Sequence, residues 1–183
     1  MLTNNFKKIV TKFLMANWSS NFNPGITDLK NFDNTTGTIN INSSSAPATI
    51  PGCFNAVCSD NQVIIPTGGE TSWNGLIVAV GTGSTEPTTD DYTLESLVSH
   101  TDMPVSSSTL GITASGTKQY TYILNNATDT AITVTELGLY LRSSAITTGL
   151  TKLCCLLGRE LLDTPVTVQP GQTATFTYEI AFD

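Results

Sequence analysis

From Thr173 to Phe182 the chain alternates without a break. Ala174, Phe176, Tyr178, Ile180 and Phe182 fall on one parity, and Thr173, Thr175, Thr177 and Glu179 on the other. Successive side chains of a strand point to opposite faces, so this pattern demands a strand with one face in an apolar core and the other in water. Just before it, Val166 and Val168 read as a short strand, with Pro170-Gly171 supplying the turn between the two. A chain that ends this way needs further strands to pair with and a second layer to cover the apolar face.

Those strands are visible upstream. Val63 to Ile65 is a short one, closed by Pro66-Thr67-Gly68-Gly69. Leu76 to Val80 and Leu153 to Leu157 are continuous apolar runs, the pattern of strands covered on both faces. Tyr120 to Leu124 alternates, and a turn over Asn125 to Asp129 leads into Ala131 to Leu141, which reads as a hairpin. Within that second strand the apolar phase slips between Val134 and Leu137. The slip predicts a β-bulge near Thr135 or Glu136, although burial on both faces gives the same pattern. Composition agrees: Thr, Ser and Asn make up about a third of the chain, a bias toward short strands and tight turns. The expected fold is mostly β, an antiparallel β-sandwich of jelly-roll or Ig-like type. Its C-terminal strand is expected at the centre of a sheet, with Phe176, Tyr178 and Ile180 buried.

The N-terminus departs from this pattern. Leu2, Phe6, Ile9, Val10, Phe13, Leu14 and Trp18 follow helical spacing, which predicts an amphipathic helix over 1–18. Residues 19–61 are rich in Asn, Ser and Thr, with only Thr38 to Ile41 as a plausible strand, and read as an extended arm with loops. Residues 62–183 then form the β domain. A helix this short is marginal alone in water, so its apolar face must be covered, either by its own domain or by another chain. The length of the arm favours docking on other chains, with Phe6, Phe13 and Trp18 as the partner-binding rings.

Charge excludes some partners. The 183 residues carry a net charge of −7, and the only basic concentration is Lys7, Lys8 and Lys12, so nucleic acid is not an expected partner. No apolar stretch approaches the roughly 20 residues of a membrane-spanning helix, and Lys12 interrupts what resembles a signal peptide, so synthesis inside a cell is expected. Cys53 and Cys58 have the spacing of a small loop disulfide. Cys154 and Cys155 are adjacent and point to opposite faces of any strand, which rules out their chelating one zinc together. All four are expected as thiols.

Catalytic motifs are not found. His100, the single histidine, lies in the polar stretch Ser99-His100-Thr101-Asp102, where sequence neighbours do not build a converging triad. Gly81-Thr82-Gly83 follows a strand but lacks the third glycine and the βαβ context of a dinucleotide site, and reads as a turn. Glu86, Asp90, Asp91 and Glu95 are dense enough in carboxylate for calcium, but their spacing is not that of an EF-hand. A solvated acidic loop with a helical turn after Pro87 is the simpler expectation. Trp18 and Trp73 are candidates for stacking on a sugar ring, or for anchoring a core or interface. No catalytic residue, cofactor or metal is expected.

The stretch Leu76 to Ser96, LIVAVGTGSTEPTTDDYTLES, resembles a segment of tailed-bacteriophage structural proteins: an apolar strand, a Gly-Thr-Gly turn, a proline, an acidic pair and a Tyr-x-Leu-Glu close. Thr135 to Tyr140, TELGLY, and Arg159 to Ile180, RELLDTPVTVQPGQTATFTYEI, resemble later strands of such proteins. The resemblance implies a small β-sandwich present in many copies in a virion and made in the host bacterial cytoplasm. On that footing the chain is a non-enzymatic tail or neck component (connector, collar or ring) whose partners are other virion structural proteins and copies of itself. The alternative is a capsid-surface decoration or fibre module binding a host glycan or receptor.

Overall fold

The computed structural model describes residues 1–15, 25–40, 75–98, 109–112, 118–143 and 153–180. Cys53, Cys58, Val63 to Ile65, Trp18, Trp73, His100 and Phe182 lie outside them. One helix, α1 (Asn4–Met15), precedes eight strands: β1 (Gly25–Lys30), β2 (Thr36–Asn40), β3 (Gly75–Gly81), β4 (Thr109–Ile112), β5 (Lys118–Asn125), β6 (Ile132–Ser143), β7 (Leu153–Val168) and β8 (Thr173–Ile180). The fold is mostly β, and among the described residues every strand pairing is antiparallel. β1 and β2 form a hairpin, and two three-stranded sheets have the orders β3-β6-β7 and β4-β5-β8.

The C-terminal alternation folds as its pattern demands. Phe176 and Tyr178 are buried while Thr175, Thr177 and Glu179 are exposed. Tyr178 lies opposite Tyr120 and Phe176 opposite Tyr122, so aromatic pairs line the inner face of this sheet. Their rings join one apolar cluster with Val78, Val80, Leu139, Leu141 and Leu157 of the other sheet. The strand is not central, however: β8 lies at one end of its sheet and β5 holds the middle.

A second correction concerns the hairpins. β5 and β6, joined by the turn expected to make them partners, belong to different sheets, and so do β7 and β8. Both crossings are tied to Asn126, which is fully buried. Its Nδ2 donates to Thr130 O and Val168 O, both at 2.8 Å, and its Oδ1 accepts from the Thr128 amide at 3.0 Å. The Gly171 amide donates to Asn126 O at 2.7 Å. Alternation fixes which face of a strand is buried, not which strand it pairs with, so a crossing and a hairpin look alike in sequence.

The β3-β6-β7 sheet is covered on both faces, which accounts for its continuous apolar runs. Ile77, Ala79, Tyr140, Cys154 and Leu156 form a separate cluster with Leu94, against which Phe32 and Leu97 pack. Cys154 and Cys155 therefore enter different clusters, and neither is in a disulfide among the described residues. Burial pushes the Cys155 thiol up to about 12, so it stays protonated and inert. The irregularity beside the phase slip lies in β7 rather than β6: Val134 pairs with Val166 but Glu136 with Leu161, so 162–165 stand opposite Thr135 alone, and the two strands read at Leu153 to Leu157 and Val166 to Val168 are one continuous β7. A second irregularity lies between Leu139 and Tyr140, which pair with Gly158 and Leu156 and leave Leu157 over.

Upstream residues enter the same core. α1 packs on β7 and β1, with Ile9 of the helix and Leu29 of β1 fully buried. Before the helix, Met1 to Thr3 run along the outer edge of β7: the Arg159 amide donates to Met1 O and the Thr3 amide to Leu157 O, both at 2.9 Å. Asn5 accepts from the Lys30 amide at 2.8 Å and donates to Lys30 O at 2.9 Å, clamping helix to hairpin. The stretch expected as an arm thus contains a hairpin that docks on β7, where Asn31 Oδ1 accepts from the Cys154 amide at 2.8 Å. Amphipathic spacing identifies a face to be covered and is silent on what covers it.

Phe176→Ala should destabilise the protein by about 3–5 kcal/mol, the cost of removing a ring from a packed core. Urea unfolding followed by far-UV circular dichroism measures this, and a loss below about 1 kcal/mol is incompatible with the packing described.

Candidate functional site

Two opposite charges sit inside the apolar strands of the central sheet, Glu136 in TELGLY and Arg159 in LLGRE. Gly138 pairs with Arg159 and Glu136 with Leu161, so the two side chains are diagonal neighbours across β6 and β7. Glu136 is 0% exposed and Arg159 3%. Charges so buried are tolerated only when paired and fully hydrogen-bonded.

Glu136 meets that requirement at both oxygens. Its Oε1 accepts from the Gly83 amide at 3.0 Å and the Ser96 amide at 2.9 Å. Its Oε2 accepts from Arg159 Nε at 2.7 Å and the Glu95 amide at 3.3 Å. Four donors meet one carboxylate, and three of them are backbone groups of the loop after β3. The Gly-Thr-Gly turn is explained by this approach: a Cβ on Gly81 would lie 2.3 Å from Glu136 Oε1, and one on Gly83 2.6 Å from it. These glycines are required for space.

The rest of the guanidinium holds the same loop. Arg159 Nη1 bonds Asp91 at 2.8 Å, and Nη2 donates to Thr85 O at 3.0 Å and lies 3.6 Å from Glu95. Asp91 accepts from the amide and hydroxyl of Thr88, and Glu95 Oε2 accepts from the amides of Ser84 and Thr85 at 2.7 and 2.8 Å. Tyr140, fully buried on β6, accepts from the Leu94 amide at 2.8 Å. Burial pushes its phenol well above the ordinary range, so it remains neutral. Burial would also raise Asp91, but the bonds from Arg159 and Thr88 outweigh it and hold the carboxyl below its usual value. Burial opposes the charge on Arg159, and its bonds to Asp91 and Glu136 more than offset this.

The acidic loop therefore divides. Glu86 and Asp90 are exposed, as expected of a solvated loop, and Asp90 accepts from Asn4 Nδ2 at 2.7 Å. Asp91 and Glu95 instead turn inward to the arginine. Among the described residues no group of His, Cys, Asp or Glu is arranged to hold a metal ion. No described helix is long and apolar enough to cross a membrane. Phe6 is half-buried against the core of its own chain. Phe13 lies on α1, though its side chain is outside the described set, as are Trp18 and His100. The arrangement fixes the path of the loop over the sheet: both Glu136 oxygens take two donors each, and all three guanidinium nitrogens of Arg159 bond within the chain.

Glu136 and Arg159 were not among the residues singled out from sequence. A signal was present, since each charge interrupts an apolar run, Glu136 before Leu137 and Arg159 after Leu156-Leu157-Gly158, and the two are of opposite sign. A second ionisable group lies further along β7. Burial raises the Glu160 carboxyl above its ordinary value, and the nearby charges of Asp163 and Glu179 raise it further. Comparison with known proteins finds no matching family model, no matching curated protein and no matching solved structure.

Glu136→Gln should destabilise the fold by about 3–5 kcal/mol despite its equal size, because the amide nitrogen must face N–H donors at either oxygen position and Arg159 loses its buried partner. Arg159→Met should cost a similar amount, and chemical denaturation of the two variants checks both. Glu160→Gln should act in the opposite direction. A folded pKa above the unfolded value means that ionised Glu160 weakens the fold at pH above the raised pKa, and the neutral variant removes that cost. Its thermal midpoint should exceed the parent's at neutral pH, with the difference vanishing below the unfolded pKa of about 4.5.

Proposed function

We propose that this chain is a non-enzymatic structural subunit of a tailed-phage virion, a tail or neck component that assembles in several copies with itself and with other virion proteins. One observation carries the reading. The three segments that resemble tailed-phage structural proteins are far apart in sequence, yet they meet at a single point. Leu76 to Ser96 supplies Gly83, Asp91 and Glu95, Thr135 to Tyr140 supplies Glu136 and Tyr140, and the segment from Arg159 supplies the guanidinium. The resembling residues are those that shape one sheet and its loop, which supports reading the likeness as a shared structural unit. In this reading the two three-stranded sheets face each other as a β-sandwich, with the aromatic cluster between them.

A subunit of this kind works by holding its shape while neighbours press on it, and a loop pinned to a sheet by buried charge suits that task. The apolar side of α1 carrying Ile9 is committed to its own sheet, so contacts with neighbours through this region fall to its outer side, where Lys7, Lys8 and Thr11 are exposed.

Gradient-purified particles, analysed by quantitative mass spectrometry and electron cryomicroscopy, test the proposal. The chain should be present in a fixed multiple-copy ratio to the other structural proteins, with its density in the tail or neck. Density confined to the capsid surface or to a fibre tip would favour a decoration or receptor-binding module, and absence from particles would overturn the virion reading.

A further inference from the structure

The loop joining β3 to the strand-like turn at Leu97 is held at two levels, and the levels differ in how they respond to protons. Its base is fixed by groups shielded from solvent. The amides of Gly83, Glu95 and Ser96 donate to Glu136, the Leu94 amide donates to Tyr140, and the Val98 amide donates to Val80 O at 2.9 Å. The side chain of Leu94 is buried in the cluster beneath.

Its tip, residues 84–91, hangs on carboxylates that reach water. Glu95, whose side chain is 39% exposed, takes the amides of Ser84 and Thr85. Asp91, 19% exposed, takes the amide and hydroxyl of Thr88 and the Arg159 guanidinium. Beyond these, the tip is held by Arg159 Nη2 on Thr85 O and by Asn4, whose amide donates to Thr89 O and whose Nδ2 donates to Asp90.

We propose that residues 84–91 form an acid-released latch: protonation of Asp91 and Glu95 removes the charged anchors of the tip and loosens it, leaving only the Thr85 O and Asn4 contacts, while Glu136 keeps the base of the loop and the sheets in place. Charge counting supports the division. Three carboxylates surround one guanidinium, so neutralising the two outer ones leaves Glu136 and Arg159 as a balanced buried pair. The other ionisable groups around this centre do not replace the lost anchors. Glu86 and Asp90 are exposed on the tip itself, Tyr140 remains neutral, the Met1 ammonium donates to Arg159 O, and Glu160, next to Arg159 on β7, sits with that ammonium, Asp163 and Glu179. Asp91 and Glu95 are held below their ordinary values of 3.8 and 4.5, so the stabilisation they give is complete above those values and lost as pH falls through the lowered ones.

Amide hydrogen exchange on the full chain, followed residue by residue by NMR, tests the latch. As pH is lowered from neutral through the depressed values of both carboxyls, protection corrected for intrinsic exchange should fall at least about tenfold at Ser84, Thr85 and Thr88 while Gly83, Ser96 and Val98 retain theirs. The double variant Asp91→Asn with Glu95→Gln, which imitates the protonated state, should lose the same tip protection at neutral pH with the base unchanged. Loss of protection at tip and base together, or an unchanged tip in the double variant, would overturn the proposal.

Discussion

A buried guanidinium–carboxylate contact organises this protein. Glu136 and Arg159 lie on neighbouring strands with almost no exposure, and an isolated charge at either position would be strongly unfavourable. The cost is offset because the loop after β3 folds back and supplies backbone donors to one partner and carboxylates to the other. The loop has no regular structure over its tip and would otherwise lack a reason to adopt one path. Sheet and loop thus specify each other: the charges need the loop for solvation, and the loop needs the charges for its shape.

The same economy appears elsewhere in the fold, where single polar residues stand in for longer stretches of regular pairing. Asn126 ties both sheet-crossing turns together with four hydrogen bonds from its side chain and two from its backbone. Asn5 joins α1 to the β1–β2 hairpin, and Asn31 joins that hairpin to β7. A chain with few long strands and many connections needs such anchors, because buried backbone groups outside regular elements must find partners one by one. The abundance of asparagine, which in sequence suggests only loops, is partly spent on this task.

One edge of the central sheet is covered by Met1 to Thr3, which take up the exposed backbone of β7 around Arg159. An uncovered edge invites pairing with other chains, so closing it with the chain's own N-terminus limits unregulated association. Lys7 and Lys8 remain exposed on the outer side of α1.

By itself, the sequence determined the β class, the strands β3, β5, β6 and β8, the two ends of β7, the short helix, an irregularity beside the phase slip in β6 and the opposite placement of Cys154 and Cys155. Each is a local consequence of side-chain periodicity or backbone chemistry. The two burial faces of β3 were readable for the same reason, since a run with no polar position leaves no side for water. Only the tertiary structure decided which strands pair, that β8 lies at a sheet end, that two apparent hairpins are crossings, and that helix and hairpin pack on β7. These depend on contacts between residues far apart in the chain, for which periodicity carries no information. The Glu136–Arg159 centre lies between the two cases. Each charge was legible as an interruption of an apolar run, but pairing them required the β6–β7 register, and dividing Asp91 and Glu95 from Glu86 and Asp90 required the folded path of the loop.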